Sequence, residues 1–159
     1  MAQNVIKGKK LMVFIKKDTT YKSIALSTNH TLTLSASTSD LAVKSKDQAK
    51  GKSWTDSEIN EMSWSVSSES LVGTNEGHGW GDIMDLYLAG EKVELVFDCV
   101  TSDGAPVGGF TPAASGDDFQ GLKGTALITN LTLNAPLEDN GTYTVEFSGC
   151  GPLEKYNGN

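Results

Sequence analysis

The chain contains no arginine; all 13 of its basic residues are lysine. Base-specific and phosphate-clamping interfaces rely on the planar arginine fork, so this absence argues against a nucleic-acid reader. Cysteine is nearly absent too. Cys99 and Cys150 are the only two, and no pattern around them supports a disulfide or a metal pair. Cys99 alternates in phase with Val93, Leu95 and Phe97, so a reduced, partly buried thiol is expected. No apolar run approaches the ~18 residues of a membrane-spanning helix. Met1 to Lys7 lacks the apolar centre of a signal peptide, so synthesis in the cytoplasm is expected. Glycosylation-type triplets at Asn29, Asn130 and Asn140 then read as ordinary polar strand and turn residues. At 159 residues and 38% hydrophobic content, a single domain spanning 1–159 with a real core is expected.

The lysines are unevenly placed. Ten of them precede residue 53, against three acids, a local balance of +7; the remainder carries three lysines and 17 acids, a balance of −14. A chain basic at one end and acidic over the rest can meet its own copies head to tail.

Alternation of apolar and polar residues dominates the chain. Lys10–Lys16 is apolar on both sides and reads as a well-buried strand; Tyr21–Leu26 is a weaker one. His30–Ser37 alternates with Leu32, Leu34 and Ala36 inward. Glu61–Leu71 sets Met62, Trp64 and Val66 against Ser63, Ser65 and Ser67. Glu91–Thr101 is a further strand. Near the end, one run carries Leu127, Leu131 and Leu133 on one side. The next carries Tyr143, Val145 and Phe147 on one side and Thr142, Thr144, Glu146 and Ser148 on the other. Ala135-Pro136 and Asp139-Asn140-Gly141 supply the turn between them. One helix is signalled, Trp80–Gly90, with Asp82 able to cap its start and Gly90 to end it. Ile83, Leu86 and Tyr87 form its apolar stripe. Two long segments lack such signals: a lysine-rich one at about 42–59, read as an exposed loop or extended hairpin arm, and a Gly/Pro/Ser-rich one at about 102–121. The expected fold is mainly β: a β-sandwich or barrel of about seven strands, one flanking short α-helix and two long loops.

Signals for chemistry are weak. Gly77-His78-Gly79-Trp80-Gly81 lacks the Lys-Ser/Thr ending and the βαβ context of a phosphate loop. His78 with Glu76 and Asp82 has no further ligands at metal spacing. The acidic pairs Asp117-Asp118 and Glu138-Asp139 fall in loop or turn segments, where carboxylates are solvated and lack separated pKa values. Catalytic, cofactor and metal residues are therefore expected to be none. Exposed tryptophans could serve a carbohydrate-binding module. Trp64, in phase with Met62 and Val66, reads as core instead, while Trp54 and Trp80 sit beside a loop and the helix start.

The order of segments KLMVFI, KSIALSTNHTLTLSASTSDLAVKSKD, EMSWSVSSESLV, LYLAGEKVELVF and GTALITNLTLNAPLEDNGTYTVEFSGCGPLE resembles the major tail tube protein family of long-tailed phages, over roughly residues 9 to 155. The resemblance implies a structural virion protein without catalytic residues or cofactor. Six copies would form a ring whose inner sheets join into one barrel, and rings would stack into a hollow tube that delivers DNA to the host. It would assemble in the host cytoplasm and reside in the virion tail. Partners would be the chain itself with tail tip, tail terminator and tape-measure proteins. DNA would pass without specific binding. An inner tube of a contractile tail or injection system is the neighbouring alternative. On this reading Lys44, Lys46, Lys50 and Lys52 are candidate inter-ring contacts. Thr142, Thr144, Glu146 and Ser148 are a candidate lumen or outer-wall face.

Overall fold

In the computed structural model, which describes residues 5–17, 19–41, 56–73, 78–100, 112–113 and 119–157, one antiparallel sheet organises the chain. A 3₁₀ turn at Gly8–Lys10 leads into β1 (Leu11–Lys17) and β2 (Thr20–Ser23). β3 (Ser27–Leu41) and β4 (Asp56–Leu71) form a long hairpin. Helix α1 (Trp80–Ala89) precedes β5 (Val93–Cys99), β6 (Gly121–Asn134), β7 (Thr142–Gly149) and the short β8 (Glu154–Tyr156). The strand order is β2-β1-β5-β6-β7-β4-β3, with β8 pairing the start of β6.

The alternating residues explain how this sheet makes a core. Val13 and Ile15 of β1 and Val93 and Leu95 of β5 share one buried cluster with Trp64, Val66, Ala126, Tyr143, Val145 and Phe147. The two halves of the sheet therefore face each other, as in a sandwich, with Ile83 of α1 sealing the same cluster. β1 and β5 are buried on their second side as well, where Phe14, Val96, Val100 and Tyr156 gather. A strand covered on both faces needs a continuous apolar run, which is what Leu11–Ile15 supplies. β8, unsignalled by three residues of Glu-Lys-Tyr, contributes Tyr156 to this second cluster.

Trp64 is the largest piece of the fit between the halves. Its Nε1 donates to the Gly151 carbonyl at 3.0 Å. A Cβ at either Gly124 or Gly149 would overlap its indole. Glycine is required there by close approach, not by unusual backbone angles.

Several local expectations change in the folded chain. α1 starts at Trp80 with Gly79 as N-cap, so Asp82 stands inside the first turn and accepts from the Gly79 N–H at 3.4 Å. Gly90 does end the helix in the left-handed region, at φ 66°. Leu127 does not share a side with Leu131 and Leu133. The pairing of β6 with β7 shifts between Ile128 and Asn130, a β-bulge that places Leu127 opposite Ser148 but Leu131 opposite Val145. One extra residue in a strand inverts the alternation beyond it. β4 begins at Asp56, so residues 56–59 of the expected basic loop are strand; 42–55 lie outside the described residues. Of the segment 102–121, Pro112 bridges to Val100, and Ala113 N–H donates to Cys99 O at 2.8 Å. Cys99 is fully buried, and neither cysteine forms a disulfide.

Candidate assembly surface

The far side of the sheet from the core is built by β6, β7, β4 and β3. Register places Thr33, Ser65, Ser148 and Leu127 in one row across the four strands. The next row is Thr31, Ser67, Glu146 and Asn130, and the next Asn29, Glu69, Thr144 and Thr132. Thr142, Thr144, Glu146 and Ser148 therefore all lie on this face, while Tyr143, Val145 and Phe147 on the same strand are buried. Glu146 is held by local contacts: Asn130 Nδ2 donates to its carboxylate at 3.3 Å, and Thr129 Oγ1 to its backbone carbonyl at 3.3 Å.

Charge divides the molecule along the same line. β3, β4, β7 and residues 124–134 of β6 contain no lysine at all. The face instead carries Glu58, Glu61, Glu69 and Glu146, set by register among Ser and Thr partners. Lys16 sits on the other half of the sheet, paired with Glu94 at 2.9 Å. That carboxylate, by hydrogen bond and by charge, raises the lysine's pKa above its ordinary value.

Two strand edges flank the polar face. β3 ends the sheet, pairing only β4 among the described strands. β5 pairs β6 only over 122–126, which leaves residues 127–134 of β6 without a partner on that side among the described residues. Open edges of this length invite pairing with another chain.

The β3–β4 hairpin outruns the sandwich. β7 pairs β4 only from Ser65 to Leu71, whereas β3 pairs it back to Asp56. Beyond that point the hairpin is a two-stranded arm. Leu34, Met62 and Ile59 on it are 62%, 78% and 60% exposed. Leu34 and Ala36, expected inward, thus lie on the core-facing side of the strand but past the end of the core. The candidate contacts Lys44, Lys46, Lys50 and Lys52 fall outside the described residues.

The remaining candidates for chemistry have structural partners. His78 is buried, with Nε2 within 3.0 Å of the Ile15 carbonyl. Glu76 lies outside the described residues. Among the described residues no group of three or more His, Cys, Asp or Glu side chains could hold a metal. Trp64 is buried, and Trp80 packs edge-to-face on Tyr143 with centroids 5.4 Å apart. Neither offers a flat exposed platform for a sugar; Trp54 is outside the described residues. No helix among the described residues is long and apolar enough to cross a membrane. His30 carries no signal in the sequence beyond its place in a strand. In the fold its Nδ1 meets Ser68 Oγ at 2.8 Å, its Nε2 is buried without a partner among the described residues, and burial lowers its pKa to about 4.

The whole arrangement matches known proteins. A family model described as phage tail tube protein matches residues 5–155. Among solved structures, the chain is similar to one from the C6-symmetric tail of an empty gene transfer agent particle, at 17% identity and TM-score 0.67, covering 97% of this chain and 98% of that one. A chain from the virion of a native gene transfer agent particle matches at 19% identity and TM-score 0.66, with the same coverage. The SPP1 tail tube matches at 11% identity and TM-score 0.67, covering 96% of this chain and 80% of that one. No curated protein matches at a significant level.

Proposed function

The chain belongs to the phage tail tube protein family, and we propose that six copies close into a ring, that rings stack into the hollow tube of a virion tail, and that DNA leaves through its bore. The tube is a structural element; tail tip, terminator and tape-measure proteins would bound and template it. The observation that carries this reading is the lysine-free polar face with an open edge on each side.

Strand direction makes such a face suited to closure. Successive strands β6, β7, β4 and β3 alternate in direction. The two outer strands therefore run oppositely, and β3 of one copy can pair antiparallel with residues 127–134 of β6 in the next. An even number of strands per copy permits this at every junction of a cyclic assembly. Six copies would supply 24 strands. At a spacing of about 4.8 Å they give a circumference of roughly 115 Å, which strand tilt widens further. A cylinder of that girth leaves room for a DNA duplex after side chains are added.

The chemistry of the face fits passage without capture. Tight, salt-dependent DNA binding comes from lysine and arginine neutralising phosphates and releasing counterions. Glu58, Glu61, Glu69 and Glu146 repel phosphates instead, and the Ser and Thr hydroxyls between them are neutral. On this reading Thr142, Thr144, Glu146 and Ser148 line the bore, and the lysines at 44, 46, 50 and 52 reach acidic surface on the adjacent ring.

Negative-stain microscopy of the concentrated protein tests the assembly: hollow rods or rings are expected, and a persistent monomer by light scattering would count against it. The face is tested by Glu146→Lys with Ser148→Lys. Tubes of that variant should retain duplex DNA at low salt and release it as salt rises, where wild-type tubes do not. Unchanged DNA retention would put the face on the outside of the tube.

A further inference from the structure

The turn between β6 and β7 belongs neither to the core nor to the polar face. Ala135 to Asn140 are all exposed, and nothing from Ala135 to Gly141 is strand or helix. Asn140 is followed there by Gly141. An asparagine in a turn commonly ties its side chain to nearby backbone. Among the described residues the Asn140 amide makes no hydrogen bond. Gly141 is anchored on one side only. Its carbonyl accepts from Val72 N–H at 2.8 Å, while its own N–H donates to nothing among the described residues.

These are the conditions for an intramolecular reaction. A backbone nitrogen can attack the side-chain carbonyl of the asparagine before it when the chain is free to bend and no side chain stands in the way. Glycine meets both needs, having no Cβ and a wide range of backbone angles. The other asparagines within the described strands differ. Asn130 precedes Leu131, and its Nδ2 donates to Glu146 at 3.3 Å. Asn29 and Asn134 are paired in the sheet, opposite Glu69 and Thr142, and precede His30 and Ala135.

We propose that Asn140 is a site of spontaneous modification, where the Asn140-Gly141 peptide deamidates in the folded protein. The Gly141 nitrogen gives up its proton to a base in solution and bonds to Cγ of Asn140. The Cγ–Nδ2 bond breaks, and Nδ2 takes up a proton and leaves as ammonia. Water then opens the five-membered succinimide at one carbonyl or the other, leaving aspartate or isoaspartate at 140. No oxidant or reductant takes part. The product adds a negative charge to a turn that already holds Glu138 and Asp139. Where isoaspartate forms, it also adds a methylene to the main chain, one residue before β7 begins at Thr142. The reaction needs only the folded chain, so it does not depend on whether copies assemble.

Peptide mapping tests it. With no arginine in the chain, trypsin cuts after lysine alone, so residues 124–155 form one peptide that holds Asn130, Asn134 and Asn140. Asn157, also followed by glycine, falls in the separate piece 156–159. The folded full chain is held for days at mildly alkaline pH and, separately, at mildly acidic pH. A second sample is held unfolded in urea at the alkaline pH. Fragmentation of the peptide should place the exchange of amide for acid at Asn140, at least tenfold ahead of Asn130 and Asn134. The rate should rise with pH, and isoaspartyl methyltransferase should label the product. The folded rate should lie within tenfold of the rate in urea. Gly141→Ala should slow the reaction at least tenfold while keeping wild-type circular dichroism, because a Cβ there meets Val72 at an ordinary 3.5 Å. An amide that persists at Asn140 in the folded chain but is lost in urea would mean that the fold protects the turn, and would overturn the proposal. Conversion spread equally over Asn130, Asn134 and Asn140 would overturn it too, and both results can be read even if the variant does not fold.

Discussion

Along β4, one pattern has two fates. From Trp64 to Ser70 every second side chain is buried, and Trp64 and Val66 share one cluster with residues of β1, β5 and α1. From Asp56 to Ser63 the strand continues past a bulge at Asn60 that keeps Ile59 on the side of Met62, yet both stand in solvent. The backbone is paired to β3 throughout. Pairing and alternation are therefore local properties, whereas burial depends on what the rest of the chain brings alongside. The covered half of the hairpin stabilises one copy. The uncovered half leaves Leu34, Ile59 and Met62 exposed.

The largest expected effect lies in the covered half. Trp64→Ala should cost about 3–5 kcal/mol, measured by urea or thermal unfolding, because it empties the space between Gly124 and Gly149 and removes the bond to Gly151 O. A loss below about 1 kcal/mol would mean that the two halves of the sheet are not held together by this residue.

His30, also in the covered half, should make stability depend on pH. Burial keeps it neutral in the folded chain, with a pKa of about 4 against an ordinary 6.5. The unfolded chain takes up the proton first, so stability is whole above about pH 7 and declines as pH falls from 6.5 towards 4. The loss by pH 4 is on the order of 3 kcal/mol. His30→Gln should flatten that part of the profile; an unchanged slope would assign it to carboxylates instead.

The smallest effect sharpens the comparison most. Met62→Ala, two residues from Trp64 on the same side of the same strand, should change monomer stability by less than about 0.5 kcal/mol. A cost comparable to that of Trp64→Ala would show that the arm is covered within its own copy and would remove the distinction.

Much of the fold is legible in residue order because strands reveal themselves by period. The split of β7 into Tyr143, Val145 and Phe147 against Thr142, Thr144, Glu146 and Ser148 follows from alternation alone. So does the buried β1, apolar on both sides, and Gly90 marks the helix end by its freedom at positive φ. The polar face is less legible. Which strands join it depends on pairing between residues far apart in sequence, such as Ser65 with Ser148. The bulge near Thr129 that turns Leu127 outward has no local marker. β8 is too short to show a period. The exposed arm is hidden for a different reason: Leu34 and Met62 look like core residues because phase reports the side of a strand, not whether anything lies on that side.

The sequence by itself determined the strand-rich class, the absence of arginine, the concentration of lysine before residue 53, and the polar side of each long strand. All of these are properties of composition or of neighbours along the chain. Only the tertiary structure decided that β6, β7, β4 and β3 merge their polar sides into one lysine-free face with oppositely directed edges, and that the core ends at Trp64 while the hairpin continues. Those outcomes depend on where distant segments stop. The reach of β7 and β5, not anything in β4 or β6, sets which residues remain uncovered.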